Sequence, residues 1–218
     1  VSHKPHSNNG NIVAIYGGTF DPFHKAHAAI CSSVLSHSEI SQLRVIPCYL
    51  PALKAEASAS AEHRLAMLER WRSAQSGAGR IYIDDQEITR KGASYSVDTV
   101  RQIAEANPGA KLLFVLGTDA WNSLPRWHQY QELAAKVSFW VFHRNGEAAA
   151  IPHSGLQPRD SLHQLLTGGN GGYWLDASVD LPVSSTDLRK HLQHELNLPD
   201  EIAGYINENQ LYRKAQST

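Results

Sequence analysis

The run Ile12-Val13-Ala14-Ile15-Tyr16, followed by Gly17-Gly18-Thr19-Phe20-Asp21-Pro22-Phe23-His24-Lys25-Ala26-His27, limits this chain's fold more than any other stretch. The five apolar residues read as a buried strand. From Ala28 to Leu35 the apolar positions Ile30, Cys31, Val34 and Leu35 fall at helical spacing. A strand, a glycine turn and a helix in that order make a phosphate site. Glycines let the backbone approach an anion closely, and the turn's amides and the helix N-terminus aim positive charge at it. His24 and His27 lie three apart and face the same way on a helical turn. Two imidazoles beside a nest of amides suit phosphoryl chemistry. Zinc helices of metalloproteases place their histidines four apart around a Glu. His24-Lys25-Ala26-His27 has neither feature, so no metal ligands are assigned.

A chain of 218 residues suffices for one substantial core, with residues 1–10 as a polar, flexible N-terminal tail and 11–218 as a single domain. The formal net charge of −1 gives no argument for nucleic acid as a partner. Cys31 and Cys48, the two cysteines, read as free thiols in a reducing compartment. No apolar run is long enough to span a membrane, and residues 1–10 lack a secretory h-region. The expectation is a cytoplasmic protein with no membrane partner. Nothing in the sequence sets its oligomeric state.

Strand-like runs alternate with helical patterns, which predicts a Rossmann-like, doubly wound α/β fold: a mostly parallel sheet with helices on both faces. Further strands are expected at Gln42–Pro47, Arg80–Asp85, Lys111–Leu116, Val137–Phe142 and Tyr173–Asp176. Helices are expected at Glu62–Arg72, Ser96–Asn107, after Gly117-Thr118-Asp119, at Tyr130–Ala135, Ser185–Leu196 and Pro199–Asn207. In the second of the chain's helices Leu65, Leu68 and Trp71 or Arg72 form the inward stripe. Cys48 to Ser60 reads as a loop carrying Lys54, and residues 145–172 as a surface excursion with a marginal helix at Leu162–Leu166. Ligands of such sheets bind beyond the C-terminal ends of the strands.

Three more segments carry chemistry. Ser184-Ser185-Thr186-Asp187-Leu188-Arg189 opens a helix, where hydroxyls and amides cap the backbone or meet a phosphate, and Arg189 follows Thr186 by three on the same face. Gly117-Thr118-Asp119 through Arg126-Trp127 leaves a central strand on the ligand side of the sheet. Gly92-Ala93-Ser94-Tyr95-Ser96-Val97-Asp98-Thr99 is another helix start, with Ser94 or Ser96 as its cap.

The first segment resembles the Gly-Gly-Thr-Phe-Asp-Pro-x-His-x-Gly-His signature of the nucleotidyltransferase superfamily, with Ala26 standing where the family has glycine. Ser184–Arg189 resembles the Ile-Ser-Ser-Thr-x-Ile-Arg motif that grips ATP phosphates in its adenylyltransferases. Class I synthetases instead carry a Lys-Met-Ser-Lys-Ser loop, which is absent. The Gly-x-Asp…Trp and Ser-Tyr-Thr-x-x-Thr patterns are similar to the bacterial nicotinate-mononucleotide adenylyltransferase branch, here with Ser96 for threonine. Glu62–Leu68 and the ending Tyr205-Ile206…Leu211-Tyr212 match as scaffold. The resemblance runs from Ile12 to Arg213. It breaks at Pro47-Cys48-Tyr49-Leu50-Pro51-Ala52-Leu53-Lys54, where the family reads Pro-Asn-x-x-Pro-Pro-His-Lys/Arg.

What the resemblance implies is transfer of AMP from ATP to nicotinate mononucleotide, giving deamido-NAD and pyrophosphate. His24, His27 and Arg189 would be catalytic. ATP would meet Gly17, Gly18, Thr19, Phe20, both histidines, Gly117, Asp119, Ser184, Ser185, Thr186 and Arg189. The pyridine mononucleotide would meet Lys54, Tyr95, Ser96, Trp127 and Arg144, the indole on the electron-poor ring. Mg²⁺ would arrive with ATP, because the sequence shows no carboxylate cage. Alternatives are the same chemistry on nicotinamide mononucleotide, phosphopantetheine or another phosphate acceptor, or a nucleotide-binding sensor without catalysis.

Overall fold

The structure, a computed structural model, describes residues 11–53, 55–143, 149, 155–179, 182–190 and 195–213. Lys54, Arg144, the tail 1–10 and, within the 145–172 excursion, residues 145–148 and 150–154 lie outside the described residues.

Strands β1 (Ile12–Gly18), β2 (Ile40–Pro47), β4 (Ile81–Ile83), β6 (Lys111–Gly117), β7 (Ser138–Phe142), β8 (Gln157–Pro158) and β9 (Gly172–Asp176) form one sheet in the order β4-β2-β1-β6-β7-β9-β8. Every pairing in it is parallel. The chain winds outward from β1 through β2 to β4, then returns to build the other half from β6. The winding direction therefore reverses between β1 and β6, and a crevice opens beyond their C-terminal ends. Two-residue strands β3 (Leu50–Pro51) and β5 (Ala93–Ser94) pair separately beside that crevice.

Alternation along the strands feeds two cores. Ala14, Tyr16, Leu113 and Val115 point to one face, where α1 (Lys25–Leu35), α2 (Ala61–Ser73), α7 (Leu162–Thr167), α8 (Ser185–Lys190) and α9 (Asp200–Glu208) bury Ile30, Leu68, Leu165, Leu188 and Ile202. Val13, Ile15, Leu112 and Phe114 point to the other, against α4 (Ser96–Ala106), α5 (Thr118–Ser123) and α6 (Tyr130–Lys136). This is the expected doubly wound arrangement. Among the described residues no helix is long and apolar enough to cross a membrane.

Several expectations need correction. Helix α1 begins at Lys25 rather than Ala28, so His24 is its N-cap and His27 stands in its first turn. The third strand keeps only Ile81–Ile83, and the mostly polar residues after it form an unexpected helix, α3 (Gln86–Arg90). Tyr95, not Ser94 or Ser96, caps α4. Pro199 occupies the N-cap position of α9 instead of entering its first turn, and Glu195–Asn197, read as helix as far as Leu196, is a 3-10 turn. In α2 Arg64 is buried where Leu65 was expected.

The two signature glycines are not equivalent. A Cβ on Gly18 would lie 2.9 Å from the Phe20 ring, whereas one on Gly17 would meet only Phe114, at 4.0 Å. Phe20 cannot yield: it is 2% exposed and wedged among Tyr16, Phe23 and His27. Gly18→Ala is therefore expected to lower stability by roughly 1–3 kcal/mol, the cost of overpacking, and Gly17→Ala by much less. Thermal denaturation of both variants checks this; equal losses would contradict it.

Candidate active site

The crevice is a cavity of about 1000 Å³. Gly17, Gly18, Thr19 and Phe20 form its floor, and His27 borders it from the first turn of α1. His27 is 8% exposed. The His24 amide donates to His27 Nδ1 at 3.3 Å. In a neutral ring this places the proton on Nε2, a hydrogen-bond donor. His24 itself is fully buried. It stacks behind His27 with ring centroids 3.7 Å apart and is not part of the cavity wall. Ala26, the residue that departs from the signature glycine, packs into the core and does not line the cavity. Its methyl does not crowd the site.

A further part of the wall comes from a distant stretch of the chain. Ser184, Ser185, Thr186 and Arg189 all border the same cavity. Ser184 Oγ caps α8 by accepting the Asp187 amide at 3.1 Å. Ser185 Oγ donates to the Pro22 carbonyl at 3.0 Å, and Arg189 Nη1 donates to the Asp21 carbonyl at 2.6 Å. These two bonds sew α8 to the signature loop across more than 160 residues of chain.

Gly117, Asp119, Tyr95, Ser96 and Trp127 also line the wall, whereas the expected Lys54 and Arg144 lie outside the described residues. Trp127 Nε1 donates to Ser123 Oγ at 3.0 Å, and Phe114 meets its ring edge-on at 5.9 Å. The indole is thus held by both its polar tip and its apolar body. Sequence reasoning missed His128, whose ring lies over Tyr95 at 4.4 Å, and Arg126; both border the cavity. Their adjacency to Trp127 was the available signal.

Another residue, Arg64, escaped notice because it serves the wall from behind. Arg64, 1% exposed, donates to the carbonyls of Thr19 (2.9 Å), Cys48 (2.7 Å), Tyr49 (3.4 Å) and Ala59 (3.3 Å). Hydrogen bonds from a charged donor contribute about 1.5–3 kcal/mol each. The divergent loop is therefore fixed through its backbone, independently of the asparagine and histidine that it lacks. Cys48 lines the cavity, with Sγ 3.6 Å from Thr19 Oγ1.

Glu87 on α3 holds the turn that leads into α4. It is 6% exposed and accepts from Thr99 Oγ1 at 2.5 Å, while Ser94 Oγ, which also bonds it, accepts the Tyr49 amide at 2.9 Å. Burial lifts the Glu87 carboxyl above the ordinary glutamate range, against the opposing pull of Thr99, Ser94 and Arg90.

Beyond the C-terminal ends of a doubly wound parallel sheet, amides, an imidazole and a guanidinium converge on one cavity, and that combination defines a nucleotidyltransferase. The cytidylyltransferase-like family matches residues 15–191. A "probable nicotinate-nucleotide adenylyltransferase" of Marinomonas sp. is 34% identical over 211 residues, covering 92% of this chain and 94% of that relative. One of the same name from Pseudomonas entomophila is 33% identical over 217 residues, again covering 92% and 94%. The nicotinic acid mononucleotide adenylyltransferase of Plasmodium falciparum, complexed with APC, shares the fold at a TM-score of 0.71 and 20% identity, covering 93% of this chain and 97% of that one. The chain belongs to the cytidylyltransferase-like family, in its nicotinate-nucleotide adenylyltransferase branch.

Glu87 gives a pH test of this geometry. The unfolded chain releases the Glu87 proton near pH 4.3, and the folded chain only at higher pH. Its contribution to stability is full below about pH 4.3 and declines as pH rises through the raised folded value. Denaturant unfolding between pH 4 and 7 should show the difference between wild type and Glu87→Gln moving against the wild type as pH rises. A pH-independent difference would contradict the assignment.

Proposed function

We propose that this cavity transfers AMP from ATP to the 5′-phosphate of nicotinate mononucleotide, releasing pyrophosphate and deamido-NAD. The observation that carries the reading is the meeting of His27, Arg189 and Trp127, from three distant segments, around one cavity. A phosphate oxygen of the acceptor attacks the α-phosphorus of ATP, the new P–O bond forms, and the bond to the β-phosphate breaks with its electron pair leaving on pyrophosphate. The acceptor phosphate, with its second pKa near about 6, is already largely dianionic at neutral pH. It needs no general base, so catalysis is alignment plus charge neutralisation.

The protonated Nε2 of His27 would donate to the reacting phosphates. His24, stacked behind it, would fix the ring's position. Arg189 with Ser184, Ser185 and Thr186 would hold the leaving end, and Asp119 would accept the hydroxyls of the adenosine ribose. On the acceptor side the indole of Trp127 would stack on the pyridine ring, with Tyr95, Ser96 and His128 closing the slot. Lys54 and Arg144, outside the described residues, are proposed for the mononucleotide. Among the described residues no three His, Cys, Asp or Glu side chains gather into a cation cage. Asp21 is already committed to three donors. We therefore assign no residue to a metal; Mg²⁺ bound to ATP would supply neutralisation of the pyrophosphate. Residues 11–218 are read as one domain, placed in the cytoplasm.

Incubation with ATP, Mg²⁺ and each acceptor in turn (nicotinate mononucleotide, nicotinamide mononucleotide, phosphopantetheine), with dinucleotide and pyrophosphate measured separately, tests the reaction. Deamido-NAD with equimolar pyrophosphate is expected from the first; ATP binding with no product from any would leave a sensor. His27→Ala should lower kcat at least ~10²-fold, the scale of losing one well-placed donor to developing charge; near-wild-type turnover would remove it from the mechanism. Trp127→Ala should raise KM for the pyridine mononucleotide far more than for ATP. Equal changes would make it a core residue.

A further inference from the structure

Asp21 is 2% exposed, and its carboxylate has about four acceptor positions. Oδ1 takes the Ala59 amide at 3.0 Å and the Tyr212 hydroxyl at 2.7 Å. Oδ2 takes the Ser58 amide at 2.6 Å. The position that is left faces Arg189, whose Nη1 stands 3.6 Å from Oδ2 and spends its short bond on the Asp21 carbonyl instead, at 2.6 Å. Arg189 is consequently tethered beside the carboxylate without being forked onto it, and its side chain, 28% exposed, borders the cavity.

Tyr212 decides this balance. An arginine facing a carboxylate with two open positions frequently forks onto it in a bidentate pair, a strong and geometrically specific arrangement. The Tyr212 hydroxyl fills one of those positions. Burial, then the neighbouring Asp21 charge, pushes the phenol well above the ordinary tyrosine range, so it stays a donor. The backbone gives an independent sign: Tyr212 has φ 60°, a left-handed conformation that a bulky residue keeps only when its surroundings impose it. We propose that Tyr212 is a positioning residue. By occupying Asp21 it keeps the Arg189 guanidinium turned to the triphosphate and so sets the affinity for ATP from the C-terminal end of the chain.

This inference rests on reading Arg189 as a phosphate ligand, and the test separates the two. Tyr212→Phe keeps the ring and removes only the hydroxyl. With each substrate varied in turn, its KM for ATP should rise on the order of tenfold, the size of one charge-assisted hydrogen bond, while KM for nicotinate mononucleotide stays within about twofold. Combined with Arg189→Ala, it should add nothing to the KM for ATP of Arg189→Ala alone, because its effect passes through that side chain. Equal rises in both KM values, or a full additional rise in the double variant, would overturn the positioning role alone. An unchanged KM for ATP in Arg189→Ala would overturn the phosphate reading and this inference together.

Discussion

The hydrogen bond from Arg189 to the Asp21 carbonyl, 168 residues apart in sequence, is the contact on which the functional half of the molecule depends. It closes the crevice that the sheet only opens. Parallel strands deliver Gly17 and Gly117 to the same edge by their register alone, but a crevice with one charged wall cannot surround a triphosphate. The second wall arrives with α8, and its position is set by polar bonds to a loop rather than by burial of a large apolar face, since α8 places one residue, Leu188, in the core.

Around that contact the loops are held by groups that are themselves buried. Arg64 gathers four carbonyls from the floor and the acceptor loop, Asp21 gathers two amides and a phenol, and Glu87 ties α3 to the start of α4. Each is a charged side chain whose desolvation is offset by several hydrogen bonds. This division explains how the acceptor loop can lose its usual asparagine and histidine and still line the cavity. Its path is written in main-chain carbonyls.

The fold was legible because the strands of the inner sheet are contiguous apolar runs and the motifs that carry chemistry are local. Ile12–His27, Gly117–Trp127 and Ser184–Arg189 each hold their residues within one short contiguous segment, so order along the chain and fold topology together predicted that they meet. What stayed hidden was non-local or short. Strands β3 and β5 have two residues each and exist only as a pair. The five residues of α3, with Ile88 as their one apolar side chain, carry no apolar period. Arg64 looked like the solvent side of a helix, because nothing in its neighbours announces four carbonyls arriving from elsewhere. His24 and His27 look interchangeable in sequence. Which of them faces the cavity depends on the helix starting at Lys25, three residues earlier than the apolar spacing suggests.

The central claim is that one triphosphate is clasped from both ends of the chain. A crystal structure with a non-hydrolysable ATP analogue measures this directly. The account predicts His27 Nε2 and the Arg189 guanidinium within hydrogen-bonding distance of the same triphosphate, with the adenosine ribose at Asp119. A triphosphate bound against only one of these walls, or outside the crevice, would contradict it.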